Sequence, residues 1–279
     1  MPRPLRVFLT VASFALFFGM SVVIGLLLFP ILFLMALGNL ERHRERCTRW
    51  IAWGYGTFIL HLRLLGLVSH RPIEVPEGLK GKPYIVVANH PTFIDLIYLL
   101  HYFPGLTCVV KSSWYRKSIA FGPLLRSTNY VPGPGYPGDD VEDEDLDSRV
   151  LARMAAHIES GHPLLIFPEG TRSAARRIRR FKRGAFELAK RTGVPLVPVV
   201  VRVDRPFLMK GVPFWKVPED SVRFEFDVLP VIDSANDPRD GRELRSDCHR
   251  EFDRRFSAWV EERERRGYFP AAAEAEATR

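Results

Sequence analysis

From Val7 to Leu37 the chain carries no charge and is overwhelmingly apolar. A single membrane crossing needs about 20 such residues, so this run is long enough, and it exceeds the roughly 7–15 of a signal-peptide core. Gly19, Ser21, Gly25 and Pro30 interrupt it. It predicts either one tilted helix or two short helices forming a hairpin that dips into one leaflet. From Arg42 to Leu67 the pattern changes: arginines mix with Trp50, Trp53, Tyr55 and Phe58, which predicts an amphipathic helix at a membrane interface.

Beyond that helix, short apolar runs alternate with longer mixed ones. Tyr84–Ala88, Thr107–Val110, Leu164–Phe167 and the strongly β-branched Pro195–Val203 read as buried strands, and Val222–Val228 alternates apolar and charged residues with period two. Helices are predicted from Pro91 to about Phe103, over Leu146–Ser160 with Gly161 as the stop, over Arg183–Arg191 before Gly193, and over Glu243–Arg265. The final Ala-Glu stretch reads as a frayed tail. Strands alternating with helices predict an α/β domain with a substantial sheet.

Composition narrows the function classes. The 279 residues are 47% hydrophobic, enough for a sizeable core, and the formal net charge of +8 with a pI near 9.6 favours anionic partners such as phospholipid surfaces, nucleic acid or phosphorylated co-substrates. Cys47, Cys108 and Cys248 are odd in number and scattered, matching no zinc or disulfide framework and pointing to a reducing compartment. The heavier basic flank after the apolar run, Arg42, Arg44, Arg46 and Arg49 against Arg3 and Arg6, favours a cytoplasmic main domain. Pro134 to Asp147 reads as a mobile loop. Its glycines Gly133, Gly135 and Gly138 formally satisfy a dinucleotide-binding pattern, but no strand-turn-helix context surrounds them, and the acids from Asp139 to Asp147 would repel a pyrophosphate. Those acids also lack the glycine and glutamate spacing of a calcium loop.

Two segments carry chemistry, each directly after a predicted strand, where open α/β sheets bind ligands. In the first, Asn89-His90-Pro91-Thr92-Phe93-Ile94-Asp95, a histidine is the side chain suited to take and return a proton near neutral pH, and a carboxylate can fix its tautomer. On one continuous helix these two residues would point about 140° apart, so the pair meets only if His90 lies in the turn before the helix. Read alone, a capping histidine beside a surface aspartate fits equally well. In the second, Phe167-Pro168-Glu169-Gly170-Thr171-Arg172-Ser173, Gly170 lets backbone approach a ligand, Thr171 can donate a hydrogen bond, Arg172 offers a planar fork for phosphate, and Glu169 would hold an acceptor hydroxyl or lock Arg172. The plain alternative is a tight turn with a Glu–Arg pair. Downstream, Arg176, Arg177, Arg179, Arg180, Lys182 and Arg183 form a basic run suited to lipid headgroups.

Together, Asn89-His90 with Asp95, Phe167 to Ser173, and Val194-Pro-Leu-Val-Pro198 resemble the glycerolipid acyltransferase family, which includes the 1-acylglycerol-3-phosphate acyltransferases; the likeness covers about residues 60 to 230. With the apolar run as an anchor over 1–40, the interfacial helix over 41–67 and a disordered tail over 267–279, it implies an α/β fold with a single acyltransferase domain over 68–266, a mixed central sheet flanked by helices. It implies that His90 and Asp95 are catalytic, and that Lys111, Arg126, Glu169, Gly170, Thr171 and Arg172 bind substrate. It implies no metal and no bound cofactor, with acyl-CoA or an acyl carrier protein thioester as co-substrate. The acceptor implied first is 1-acyl-sn-glycerol-3-phosphate, with another lysolipid or amphiphilic alcohol as the alternative. A thioesterase or lipase, a non-catalytic lipid-binding scaffold and a membrane-anchored nucleic-acid binder are the rival readings. Free fatty acid released without an added alcohol would mark the first, indifference to loss of His90 the second, and a salt-dependent gel shift the third.

Overall fold

The computed structural model describes residues 1–119, 121–134, 136, 146–174, 176–209, 212–213 and 215–266. The expected tail and most of the loop from Pro134 to Asp147 lie outside the described residues. The apolar run folds as one continuous helical rod, α1 (Arg3–Val23), a π-helical stretch (Ile24–Leu28) and α2 (Phe29–Met35). In the widened turn the Phe29 amide bonds back to the Ile24 carbonyl. The site suits it, because Pro30 has no N–H to donate and its ring crowds the carbonyl four residues earlier. The rod turns back through Ala36–Asn39 into α3 (Leu40–Leu64). This helix starts two residues before the expected Arg42, because the Asn39 side chain caps it by accepting from the Arg42 amide at 2.9 Å. The apolar run is thus one helix rather than two short ones, and it forms a helical hairpin with α3, which covers the stretch expected to be amphipathic.

The domain follows as β1 (Val68–His70), β2 (Ile85–Ala88), α4 (Ile94–Tyr102), β3 (Thr107–Val110), α5 (Ser112–Lys117), α6 (Gly122–Arg126), β4 (Val131–Pro132), α7 (Leu146–Glu159), β5 (Leu164–Ile166), α8 (Gly184–Thr192), β6 (Leu196–Val203), β7 (Val222–Val228) and α9 (Gly241–Arg265). Seven strands make one mixed sheet in the order β1-β7-β6-β2-β5-β3-β4. The block β6-β2-β5-β3-β4 is parallel, while β7 runs antiparallel to β6 and carries β1 parallel to itself. Every residue of β2 is buried, as expected of a strand covered on both faces. On one face Ile97, Tyr98 and Phe224 pack with Phe58 and Leu62 of α3; on the other, Phe186, Leu188, Phe252 and Phe256 of α8 and α9 pack against Ile85 and Val87.

Within the domain, two helix starts move by more than one residue. The helix expected from Pro91 begins only at Ile94, because Thr92 Oγ1 accepts from the Ile94 and Asp95 amides at 3.1 and 3.4 Å and holds Pro91–Phe93 as a separate turn. α9 begins at Gly241, where Asp240 and Glu243 exchange both bonds of a capping box.

The hairpin is fastened to the domain. Arg6, 4% exposed, donates to the carbonyls of Pro218, Asp220 and Gly66 at 3.0, 2.8 and 3.3 Å. Replacing it leaves these acceptors without a charged donor. Arg6→Met is expected to lower unfolding free energy by on the order of 2–3 kcal/mol, read by chemical denaturation in detergent micelles. An unchanged midpoint would show that the clamp contributes nothing.

Candidate active site

The parallel order places the carboxyl ends of β6, β2, β5 and β3 side by side, so His90, Glu169 and Lys111, each just past a strand, gather along one edge of the sheet. At the end of β2 the ladder is prolonged by a side chain. Asn89, fully buried, donates from Nδ2 to the Val201 carbonyl at 2.8 Å and accepts the Val201 amide at 2.7 Å. An asparagine amide carries the same donor and acceptor pair as a peptide group, so it ends the strand on β6 while the backbone turns away at His90.

The turn folds the His90 ring back onto Asp95, as the spacing required. Nδ1 lies 2.9 Å from Asp95 Oδ1. Asp95 is fully buried in the first turn of α4, where the helix dipole favours an anion. Its Oδ2 accepts the Thr92 amide at 3.1 Å and its Oδ1 also accepts the Leu96 amide at 2.7 Å. A carboxylate so placed accepts, so Nδ1 carries the proton and Nε2 keeps a lone pair. The ring also stacks on Phe167, with centroids 4.0 Å apart and planes 13° from parallel. Its side chain is 18% exposed, enough for a ligand to reach it.

The second segment is tied directly to the first. The Ser173 amide donates to the His90 carbonyl at 2.8 Å, and the His90 amide donates to Ser173 Oγ at 2.9 Å. The Ser173 hydroxyl in turn donates to Glu169 Oε1, and Glu169 Oε2 accepts the Arg179 amide at 2.9 Å. Burial pushes the Glu169 carboxyl above its usual range, opposed by the hydrogen bonds from Ser173 and the Arg179 and His90 amides. Glu169 therefore faces inward. It does not lock Arg172, whose Nη1 donates to the Leu208 carbonyl at 3.0 Å. Gly170 adopts φ +69°, the left-handed region where glycine costs least, and Thr171 is half-exposed beside it.

The two expected substrate-binding cations Lys111 and Arg126 are set differently. Lys111 stands exposed at the end of β3 and opens α5, on the same sheet edge as the other two loops. Arg126 sits on α6, and its Nη1 donates to the Tyr115 carbonyl at 2.5 Å, tying α6 to α5. Asn89, Thr92, Phe167 and Ser173 had no assigned role in the sequence reading. Only for Ser173 was there a usable signal, a hydroxyl at the end of the second segment. The stacking of Phe167 and the partner of Asn89 depend on strand order, which spacing does not reveal. Among the described residues no cluster of three or more histidine, cysteine or acidic side chains is arranged to hold a metal.

Residues 69–202 match a family model described as Acyltransferase. The chain is 35% identical over 162 residues to the 1-acyl-sn-glycerol-3-phosphate acyltransferase of Saccharomyces cerevisiae, covering 57% of this chain and 50% of that protein. It is 25% identical over 204 residues to the protein of that name from Chlamydomonas reinhardtii, covering 72% and 58%. It thus spans about half or somewhat more of the length of these relatives. The crystal structure of the 1-acyl-sn-glycerophosphate acyltransferase PlsC from Thermotoga maritima has the same fold, with a TM-score of 0.67 over 94% of this chain and 97% of that one at 22% identity.

The raised Glu169 carboxyl has a consequence for stability. A carboxyl whose folded value exceeds its unfolded one favours folding while protonated, and that advantage is lost as pH rises through the folded value. Glutamine does not titrate, so the melting temperature of Glu169→Gln minus that of the wild type is expected to increase between pH 5 and pH 7.5. A pH-independent difference in paired thermal melts would contradict this.

Proposed function

We propose that this chain, whose residues 69–202 match the Acyltransferase family model, moves a fatty acyl group from an acyl thioester to the free hydroxyl of a lysophospholipid, foremost 1-acyl-sn-glycerol-3-phosphate, at a membrane surface. The observation that carries the reading is the His90 ring, held on Asp95 through Nδ1 with Nε2 left as a base beside a cationic turn. The names of the relatives support the acceptor. Their greater length leaves the activity of the whole protein a proposal.

In this mechanism His90 Nε2 takes the proton of the acceptor hydroxyl as its oxygen attacks the thioester carbonyl. Asp95 stabilises the imidazolium that forms. Collapse of the tetrahedral intermediate breaks the carbon–sulfur bond, and the imidazolium returns its proton to the departing thiolate. The donor is acyl-CoA or an acyl carrier protein thioester. Direct transfer fits the rest of the molecule. The sequence holds no Gly-x-Ser-x-Gly elbow, and burial pushes the Cys108 and Cys248 thiols up to about 12, so neither offers a thiolate. Arg172 and Lys111 supply positive charge for the acceptor headgroup.

The hairpin supports a membrane setting. The rod from Arg3 to Met35 contains an 18-residue window of mean hydropathy 2.6 and is long and apolar enough to cross a bilayer. Yet Phe14 and Phe17 lie on Phe58, and Phe33 lies on His43. This antiparallel register sets Arg46 and Arg49 of α3 beside the last third of the rod, where Arg46 Nη1 donates to the Met35 carbonyl at 3.3 Å. A paired crossing would draw those charges into the hydrocarbon. The hairpin fits one leaflet, its exposed Leu16, Leu27, Leu34 and Leu37 in the acyl layer and the arginines at the headgroups, with the basic flank favouring the cytoplasmic side.

His90→Ala is expected to lower kcat by about 10²–10⁴ with the fold retained by circular dichroism, and Asp95→Asn by about a hundredfold. Full acyl transfer by His90→Ala on a panel of lysolipids would exclude the mechanism. Arg172→Ala is expected to raise the acceptor KM about tenfold with little change in kcat, as for loss of uniform binding. An unaltered KM in steady-state assays would remove Arg172 from headgroup recognition.

A further inference from the structure

We propose that Lys182 is a specificity-determining residue that binds the phosphate of the acceptor above Gly170; this rests on the lysophospholipid reading of the site. Because Gly170 has no side chain, the space where a Cβ would stand is bordered by Lys182, with Cε 3.1 Å and Nζ 3.5 Å from that point. The ammonium end thus lies over the bare face of the turn between Glu169 and Arg172. A side chain at position 170 would push it away, a second reason for glycine there besides the positive φ.

The lysine is placed by its own backbone. Its amide donates to the Pro168 carbonyl at 2.7 Å. The preceding Phe181 is 2% exposed and packs on Phe186, His249 and Phe252, which roots the segment in the core. Three residues back, the Arg179 amide bonds to Glu169. The basic segment therefore folds back over the 168–170 turn and is pinned at both ends.

Its charge is uncommitted. Lys182 is exposed, and among the described residues its ammonium has no carboxylate or carbonyl partner. Arg176 of the same run pairs with Glu264 at 3.1 Å, and Arg172 has one nitrogen on Leu208. Of the acids nearest in sequence, Glu187 has its carboxyl against Gly241 of α9, and Glu169 is turned inward to Ser173 and Arg179. An ammonium with free donors beside a turn bonded to the His90 loop suits the phosphate monoester of a lysophospholipid, and offers nothing to an uncharged acceptor.

The test uses the full chain in mixed micelles, with a saturating acyl thioester and two acceptors, 1-acylglycerol-3-phosphate and uncharged monoacylglycerol. Lys182→Met is expected to raise the KM for the phosphate acceptor about tenfold, with kcat within about twofold and the KM for monoacylglycerol unchanged, and Lys182→Arg to recover most of the loss. Wild-type transfer to the phosphate acceptor with an unchanged KM in Lys182→Met, or an equal rise for both acceptors, overturns the role of Lys182 alone. Wild-type transfer to monoacylglycerol only, or to neither, overturns the acceptor reading and the role together.

Discussion

The site depends on one exchange between two loops. Parallel strands β2 and β5 deliver their following segments to the same edge of the sheet, but nothing in a parallel ladder keeps those segments together once the strands end. Ser173 does so by giving its amide to the His90 carbonyl and its hydroxyl oxygen to the His90 amide. Its hydroxyl proton is directed to Glu169, itself held by the Arg179 amide. A chain of directed hydrogen bonds thus runs from the basic segment through a buried carboxylate to the backbone of the proposed base. Under the proposed mechanism Glu169 would act through Ser173, since its own oxygens are engaged and its side chain is buried.

That arrangement leaves the His90 ring few options. The backbone is fixed by Ser173, Nδ1 by Asp95 and the ring plane by Phe167, three restraints from the two segments. Asn89 adds a fourth by fastening the preceding residue to β6. A base whose position is settled before substrate arrives avoids reorganisation in the transition state, the main way a proton acceptor on a rigid scaffold gains over one in water.

The long elements were legible because their periodicity repeats. β7 has the expected bounds, β6 starts one residue late and ends as expected, and α8 is displaced by one residue at both ends. The short ones were not: β1, β4, α5 and α6 contain too few residues for a period to register, and their existence depends on neighbours such as β7 for β1. In the site, the His90–Asp95 contact followed from spacing once a turn was assumed at Pro91. The fate of Glu169 did not, because a glutamate three residues from an arginine pairs with it by default, and only burial among Ser173 and Arg179 redirects it. The same limit hid Lys182, one of six basic residues until the fold laid it over Gly170.

The connection between β6 and β7 joins the two halves of the proposed function. Its Leu208, a non-glycine residue at φ +53°, presents its carbonyl to Arg172. Its Pro218 and Asp220 present theirs to Arg6 on the first turn of α1, and Arg205 closes the stretch onto Asp220 at 2.9 Å. A domain held to the bilayer by a flexible tether would sample all orientations, and the headgroup cations would meet the lipid surface only part of the time. Here the start of the apolar rod and the headgroup arginine bond to the same connection. The angle between hairpin and site is set by hydrogen bonds to backbone carbonyls of this connection, so the cationic turn has a fixed orientation relative to the exposed apolar surface of the hairpin.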